Sequence, residues 1–253
     1  SPFLYAGGKY YARKYIDKHL RSSEVYCEPY VGGGSIFFHK DKSNRTILND
    51  LDNELINTYR IIRDYPVELI KQLDCFDLPS KEFYDYLKYE YKPSNEIEEA
   101  SRWYYLNRCT YGGITCKTNM SYSYKYGVDM DISKWGNIIT KASEKLQGVE
   151  LTCTDGIEVI NSLPNGAFVF VDPPYILSSQ NTLYKHSYEL TNHYDLADCI
   201  RDNKNRLFIL MTIDDNEISR DLYNFMYIED INYSYGIDNK NKKTGSEIII
   251  RNY

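Results

Sequence analysis

The residues Ala-Phe-Val-Phe-Val-Asp-Pro-Pro-Tyr at positions 167–175 decide the predicted fold. Positions 167–171 are apolar throughout, which is typical of a central strand covered on both faces of a parallel sheet. Asp172 follows this strand directly, and open α/β sheets bind their ligands at the carboxyl ends of the strands. We therefore expect a binding site around Asp172.

The two prolines make the segment after this strand rigid and rich in hydrogen-bond acceptors. Pro173 and Pro174 fix φ and lack N–H donors, so that backbone carbonyls and the Asp172 carboxylate remain. Such a cup suits a ligand that donates two N–H bonds, such as an exocyclic amine, and Tyr175 on its rim is able to stack on the ring that bears the amine. The alternative interpretation is a strand-ending turn capped by an aspartate.

Strands and helices alternate along most of the chain. Helical patterns lie between short β-rich runs, and this order predicts an α/β fold with a mostly parallel sheet and right-handed crossovers. The other strands are predicted at 24–28, 45–49, 149–153, 207–211 and 247–251, and the helices at 9–20, 51–62, 155–163 and 191–200.

The alternation stops between about residues 60 and 145. This stretch is helical at first and is rich in Gly, Tyr, Ser and Asn from 109 to 131, and loops longer than ~12–15 residues are usually functional. We therefore predict an α/β core at 1–59 and 146–253 and an inserted, mainly helical subdomain at 60–145.

Composition excludes several classes of protein. The 253 residues include 30 basic and 36 acidic side chains, a formal net charge of −6, so the chain is not a polycationic protein. No apolar run approaches the ~18–20 residues of a membrane span, and the first residues show no signal-peptide pattern. Six cysteines without a CxxC pair favour reduced thiols, no metal site and a cytoplasmic location.

A glycine-rich turn follows the strand predicted at 24–28. It has the sequence Glu28-Pro29-Tyr30-Val31-Gly32-Gly33-Gly34-Ser35, and its glycines permit close approach of the backbone to a nucleotide-like cofactor. Neither the GxGxxG nor the GxxxxGK[ST] spacing is present, so a structural turn is an equal alternative. A helix is predicted from Ser35 to about residue 39. Residues 3–9, Phe-Leu-Tyr-Ala-Gly-Gly-Lys, form a second glycine-rich turn.

Asp50 ends the second predicted strand, about 20 residues after the first glycine-rich turn. In nucleotide-binding α/β sheets an acid at this spacing accepts hydrogen bonds from two ribose hydroxyls. The alternative is that Asp50 is the N-cap of the helix predicted at 51–62, and both roles are compatible.

Taken together, these motifs resemble the Dam-type (D12 class) DNA adenine-N6 methyltransferases. The similarity is collinear from residue 3 to residue 253. Its segments are 3–9, the glycine-rich 28–38, the acid and helix of 48–56, Asn-Arg…Tyr-Gly-Gly at 105–114, Asp-Pro-Pro-Tyr at 172–175, Tyr184, Tyr188 and 193–197, and the closing strand 247–253.

The resemblance implies a Rossmann-like, S-adenosylmethionine-dependent methyltransferase sheet with helices on both faces and an inserted target-recognition subdomain. It implies methyl transfer from S-adenosylmethionine to N6 of a flipped-out adenine in a short sequence of double-stranded DNA, without a metal. The catalytic residues would be Asp172, Pro173, Pro174 and Tyr175. The cofactor-binding residues would be Tyr5, Ala6, Gly7, Lys9, Glu28, Pro29, Tyr30, Gly32, Gly33, Gly34, Ser35, Asp50, Asp155 and Asp172. Asp155 would lie near the adenine of the cofactor, or cap a helix.

DNA contacts are predicted in the insertion. Residues 100–145 carry seven basic and three acidic side chains, a balance that suits phosphates. The predicted DNA-binding residues are Arg108, Tyr111, Lys117, Asn119 and Lys125. Members of the family that read GATC typically continue Tyr-Asn-Gly-Leu-x-Arg, whereas Gly112 replaces the Asn here and Lys117 is the nearest basic residue. Arg is the usual partner of guanine, so the target sequence stays open.

Several alternatives stay open at this point. Similar Asp/Asn-Pro-Pro-aromatic cups serve RNA-base and protein-glutamine methyltransferases. A non-catalytic nucleic-acid-binding module with a relic cofactor pocket is a second alternative, and the missing dinucleotide spacing disfavours a dehydrogenase. A cognate restriction endonuclease is a possible partner, and we expect a monomer or a weak dimer without membrane association.

Overall fold

The computed structural model describes residues 1–5, 7–110, 131–176, 188–235 and 243–253. Within these ranges the strands are β1 (Val25–Glu28), β2 (Arg45–Asn49), β3 (Glu150–Thr152), β4 (Phe168–Val171), β5 (Phe208–Asp214), β6 (Tyr227–Tyr235) and β7 (Lys243–Arg251). The helices are α1 (Arg13–Ile16), α2 (Asn53–Asp64), α3 (Pro66–Asp74), α4 (Lys81–Tyr89), α5 (Glu96–Cys109), α6 (Trp135–Leu146), α7 (Gly156–Ser162), α8 (Leu190–Asn203) and α9 (Glu217–Leu222). Short 3-10 turns occupy Asp17–His19 and Ile132–Lys134. In these described ranges, no helix is both long enough and apolar enough to cross a membrane.

One sheet of seven strands organises the molecule. Its strand order is β3-β2-β1-β4-β5-β7-β6. The first five strands of this order are parallel, with Cys27 opposite Val169 and Val171 opposite Met211, and β7 and β6 are antiparallel. The predicted α/β fold with a mostly parallel sheet is confirmed.

β4 is central because both of its faces are buried. Phe168 and Phe170 belong to a core cluster that also includes Leu55 of α2. Val169 and Val171 point into the opposite cluster, which includes side chains of α7 and α8. Successive side chains of a strand alternate between the two faces of a sheet, so an uninterrupted apolar run requires helices on both sides.

Helices α3 to α6 lie in the chain between α2 and β3, and α5 and α6 pack on α2. The Asn57 side chain donates to the Glu96 carbonyl at 3.1 Å, joining α2 to the start of α5. Tyr104 of α5 and Ile139 of α6 share the core cluster of β4. The division into a core at 1–59 and 146–253 and an insertion at 60–145 stays a prediction.

Some predicted boundaries are wrong. The helix predicted at 9–20 reduces to α1 and the 3-10 turn after it, with turns at 9–12. The helix predicted from Ser35 to residue 39 is a series of turns, in which the Phe38 N–H donates to the Gly34 carbonyl at 2.9 Å. The edge strand β6 was not predicted, because its residues 227–231 are mostly polar or exposed and only Ile231 is buried. An edge strand needs little apolar surface.

The N-cap of α2 is Asp52 and not Asp50. The Asp52 side chain accepts from the Glu54 N–H at 3.0 Å, whereas Asp50 Oδ1 accepts from the Asp52 N–H at 3.1 Å. The first turn after β2 is therefore closed by Asp50, and α2 starts two residues later than predicted.

We expect Asp52→Ala to lower the free energy of unfolding by about 1 kcal/mol, because it removes a helix cap. Asp52→Asn keeps an oxygen acceptor and should retain most of this stability. Urea unfolding followed by circular dichroism measures both variants, and equal losses in the two would contradict the capping role.

Candidate functional site

A polar cleft lies where β1, β2 and β4 end. Because these strands are parallel, their carboxyl ends share one edge of the sheet, where open α/β proteins bind ligands. The cleft holds about 950 Å³ of empty space, part of it open to solvent. Its lining includes Tyr5, Gly7, Lys9, Glu28, Pro29, Tyr30, Gly32, Gly33, Gly34, Ser35, Asp50, Asp172, Pro173, Pro174 and Tyr175. The structure thus brings together four of the quoted motifs, those at 3–9, 28–38, 48–56 and 172–175.

Asp172 is held by two side chains from other elements. Lys9 Nζ lies 2.8 Å from Asp172 Oδ1, and the Thr212 hydroxyl of β5 donates to the same oxygen at 2.8 Å. Among the described residues, no hydrogen bond to Oδ2 of Asp172 is found. Burial raises the pKa of Asp172, and the Lys9 ammonium opposes this rise. The pKa of Asp172 is therefore set by burial, which raises it, and by one buried cation, which lowers it. Both side-chain contacts are made by Oδ1, so Oδ2 is the oxygen that can accept from a ligand.

Tyr175 forms part of the wall of the cleft. Its ring is 9% exposed, and its hydroxyl donates to the carboxylate of Glu247 on β7. Lys9 Nζ lies 4.9 Å from the ring centre, a distance that suits a cation–π contact. The ring is thus fixed inside the cleft, whereas the sequence suggested a position on its rim.

The glycine-rich turn forms a cradle for the Tyr5 ring. A Cβ atom on Gly33 would lie 2.7 Å from Tyr5 Cβ, and one on Gly32 would lie 2.7 Å from Tyr5 Cε1. Gly32 also has φ +45° and Gly34 has φ +63°, a region that side chains other than glycine avoid. The residue type is therefore required here both by backbone conformation and by the close approach of an aromatic ring.

Asp50 and Tyr59 hold this turn in place. Asp50 Oδ2 accepts from the Gly32 N–H at 2.9 Å, and the Tyr59 hydroxyl donates to the Gly32 carbonyl at 2.9 Å. Asp50 thus lies in the cleft next to the glycines, where the sequence predicted an acid for ribose hydroxyls.

Asp155 caps α7 by accepting from the Ile157 N–H at 2.7 Å. Its side chain is exposed, and the next residue, Gly156, lines the cleft. A Cβ atom on Gly156 would lie 2.6 Å from Tyr30 Cζ. The helix cap, which was the alternative role predicted for Asp155, is present, and the role near an adenine stays a prediction.

Glu28 is buried below the cleft. The Tyr26 hydroxyl donates to its carboxyl group at 2.6 Å. Burial raises the pKa of Glu28 to about 8, so that its neutral form predominates at pH 7. This residue is a hydrogen-bonded support for the turn as well as a lining residue.

The Asn-Arg pair of the quoted motif at 105–114 holds the N-terminal segment. Asn107 makes two hydrogen bonds with the Leu4 backbone, accepting from N–H at 3.0 Å and donating to the carbonyl at 2.7 Å. Arg108 is buried and donates to the Pro2 carbonyl at 3.4 Å. In this position Arg108 supports the fold rather than facing solvent.

Other predicted residues lie outside the described part of the chain. These are the cofactor residue Ala6 and the DNA-binding residues Tyr111, Lys117, Asn119 and Lys125.

Sequence reasoning missed Thr212 and Glu247, both of which reach the Asp-Pro-Pro-Tyr motif through side chains. Thr212 follows the strand predicted at 207–211, and a polar residue in that position was the available signal. Glu247 reaches the same edge because β7 is antiparallel to β5, which the sequence did not predict. Their partners, Asp172 and Tyr175, are distant in sequence, so the pairing itself could not be read from the chain.

The fold is a Rossmann-like sheet with a polar cleft at its strand ends, and comparisons with known proteins give the family. The model of the D12 class N6 adenine-specific DNA methyltransferases matches residues 5–237. A type II methyltransferase of Lactococcus lactis subsp. cremoris is 28% identical over 248 residues, covering 90% of this chain and 86% of the relative. The DNA adenine methylase of Salmonella typhi is 28% identical over 87% of this chain and 82% of its own length. That of Escherichia coli K12 is 29% identical over 68% and 63%.

The chain therefore belongs to the D12 class of N6 adenine-specific DNA methyltransferases. This confirms the resemblance stated from the sequence, together with the predicted Rossmann-like fold, enzyme class and reaction, site-specific methylation of adenine in DNA. A methyltransferase of this class implies S-adenosylmethionine as methyl donor and DNA as substrate.

We expect Gly33→Ala to weaken binding of S-adenosylmethionine by at least about fivefold, because the new methyl group overpacks against Tyr5. Gly136→Ala in α6 is the matched control, since its Cβ would meet no atom closer than 3.8 Å. Calorimetric titration measures both, and unchanged affinity in Gly33→Ala would contradict the cradle.

Proposed function

We propose that S-adenosylmethionine binds in the cleft and that the chain methylates N6 of an adenine flipped out of duplex DNA. The observation that carries this proposal is the position of Asp172 beside the glycine cradle at the shared end of β1, β2 and β4. The turn at 28–35 would line the methionine part of the cofactor, and Asp50 would accept from its ribose. The cleft suits such a ligand because the glycines admit the Tyr5 ring, which adds an aromatic side chain to a lining that also carries carboxylates.

The chemical task is to make a weak nucleophile react. The lone pair of an adenine N6 amine is delocalised into the ring, and two hydrogen-bond acceptors on its protons favour a tetrahedral nitrogen. Oδ2 of Asp172 and the Pro173 carbonyl would accept one N–H each. When bound, S-adenosylmethionine supplies an electrophilic methyl group. The residues of the chain would contribute positioning and local electrostatics, without a covalent intermediate.

Lys9 has a role of its own in this proposal. An ionised carboxylate accepts an N–H bond more strongly than the neutral acid does, and burial favours the neutral carboxylic acid. Lys9 Nζ at 2.8 Å from Oδ1 keeps the carboxylate charged while Oδ2 faces the amine. Lys9, assigned from the sequence to cofactor binding, would thus be a positioning residue for Asp172.

The target base must leave the helix to reach this cleft, because N6 is inaccessible in the base stack. Tyr175 would stack on the flipped base, and its bond to Glu247 fixes the ring plane before the base arrives. Sequence recognition would come from residues 111–125, with Tyr111, Lys117, Asn119 and Lys125 at base edges or phosphates.

The name of the Lactococcus relative supports a place in restriction-modification. A cognate endonuclease as partner, and a monomer or weak dimer as the active form, are part of the same proposal. The family match favours DNA over RNA-base or protein-glutamine substrates.

The test of the function is incubation with tritiated S-adenosylmethionine and unmethylated genomic DNA, followed by single-molecule sequencing of the product. N6-methyladenine confined to one short motif is the expected result. Total RNA and a protein extract serve as parallel substrates. Labelling of either one with none in DNA would overturn the proposed substrate.

We expect Asp172→Ala to lower methyl transfer to DNA by at least about a hundredfold, because it removes an acceptor that acts on the reacting nitrogen. Binding of S-adenosylmethionine, measured by calorimetry, should stay measurable. Asp198→Ala, an exposed carboxylate of α8 paired with Arg201, is the control. Turnover in Asp172→Ala near the control value would refute the acceptor role.

A further inference from the structure

The residues that follow Lys9 are strongly basic in an acidic protein. Between positions 9 and 21 the chain carries five Lys and Arg residues and one Asp, whereas its formal net charge is −6. Lys9 is turned inward to Asp172. Lys14 and Lys18 are exposed, and both lie near the Tyr15 ring, at 4.8 and 5.6 Å from its centre.

Two neighbouring tyrosines in this stretch are exposed. Tyr10 and Tyr11 are 63% and 60% accessible, and their rings meet edge to face with centroids 5.3 Å apart. The Arg13 guanidinium lies over the Tyr10 ring at 4.0 Å from its centre. Aromatic rings interleaved with basic side chains are the usual composition of a surface that binds nucleic-acid strands.

The position of this group ties it to the reaction. Gly7 and Gly8 are exposed and line the cleft, and Lys9 reaches Asp172 from the same segment. Tyr10 and Tyr11 follow Lys9 directly, and consecutive Cα atoms are only about 3.8 Å apart. The two tyrosines therefore lie next to the last residue of this segment that lines the cleft. Two exposed rings thus follow, directly in the chain, the residue that contacts Asp172.

We propose that Tyr10, Tyr11, Arg13, Lys14 and Lys18, here called the tyrosine platform, hold the DNA strand next to the flipped adenine. The two rings take an unpaired or unstacked base or its sugar, and the three cations contact adjacent phosphates. This inference rests on the proposed function and adds to it a DNA contact in the segment that follows Lys9, outside the predicted recognition insertion.

The chemistry of the platform selects duplex DNA as occupant. Its charge complements a polyanion, and stacking on tyrosine tolerates any base because every base has a π-face. Removing one base from a helix leaves its neighbours partly unstacked and its partner unpaired, which is the kind of surface that two adjacent exposed rings accept. The platform should therefore affect affinity for DNA and leave the choice of target sequence unchanged.

Tyr227 provides a matched control. It is 64% exposed and carries the Arg251 guanidinium at 5.4 Å from its ring centre, as Tyr10 carries Arg13. Tyr227 is the first residue of β6 and lies opposite Arg251 of β7. The edge of the sheet that carries the cleft is marked by Asp214, the last residue of β5, which lies opposite Glu247 of β7. The same pair of side chains thus occurs at the other end of the sheet, far from the cleft.

The experiment compares wild type, the double variant Tyr10→Ala/Tyr11→Ala, the double variant Lys14→Ala/Lys18→Ala, and Tyr227→Ala. Initial rates with unmethylated genomic DNA give KM for DNA and for S-adenosylmethionine. Fluorescence anisotropy with a short duplex gives the dependence of the DNA Kd on salt. We expect the tyrosine variant to raise KM for DNA at least about fivefold with an unchanged KM for S-adenosylmethionine. The lysine variant should lower the salt slope by about 1–2.

The outcomes separate this inference from the proposed function. If wild type methylates DNA and the tyrosine variant matches Tyr227→Ala, the platform is refuted. If the tyrosine variant also loses cofactor binding, its fold has changed and the lysine variant tests the inference instead. An unchanged salt slope of DNA binding in the lysine variant would overturn the inference, and a reduced slope would support it. Failure of wild type to label DNA would refute the proposed function instead, whatever the variants do.

Discussion

The ion pair between Lys9 and Asp172 is the contact on which the rest of the site depends. It joins the N-terminal segment to the end of the central strand β4, with Nζ 2.8 Å from Oδ1. Lys9 is only 3% exposed, and a buried cation without a counter-charge is expensive. Each buried charge is stabilised by the other, so the pair holds Lys9 and the segment that carries it at the carboxyl end of β4. It also determines which oxygen of Asp172 faces the cleft.

Two further contacts converge on the same segment, and a third supports one of them. Asn107 binds both polar groups of the Leu4 backbone, the Tyr5 ring lies on Gly32 and Gly33, and Asp50 holds Gly32 in turn. The segment therefore links helix α5, just before the predicted recognition residues, to the glycine turn. A disturbance at Asn107 would therefore reach the glycine turn through one stretch of backbone and one ring.

The sequence predicted the parts of the structure in which local pattern and position agree. The run at 167–171 required burial on both faces and became β4 with helices on each side. The glycine turn and Asp50 were found because their spacing from strand ends carries meaning. Thr212 and Glu247 could not be assigned, since each acts through a partner about 40 or 70 residues away, at separations that no spacing rule covers. The two hydrogen bonds of Asn107 to the Leu4 backbone could not be predicted either. In the sequence, an Asn that binds backbone groups cannot be told from an Asn that contacts a DNA base.

The most direct measurement is the pH dependence of single-turnover methyl transfer to DNA in wild type and in Lys9→Met, with Lys9→Arg as a variant that keeps the charge. Burial raises the pKa of Asp172 and Lys9 lowers it, so removal of Lys9 leaves burial unopposed. We expect the acidic limb of the rate profile to move to higher pH in Lys9→Met, the activity lost on that limb to return as the pH is raised, and Lys9→Arg to stay close to wild type. An acidic limb at the same pH in all three proteins would contradict the claim that an ionised Asp172, kept charged by Lys9, accepts from the reacting amine.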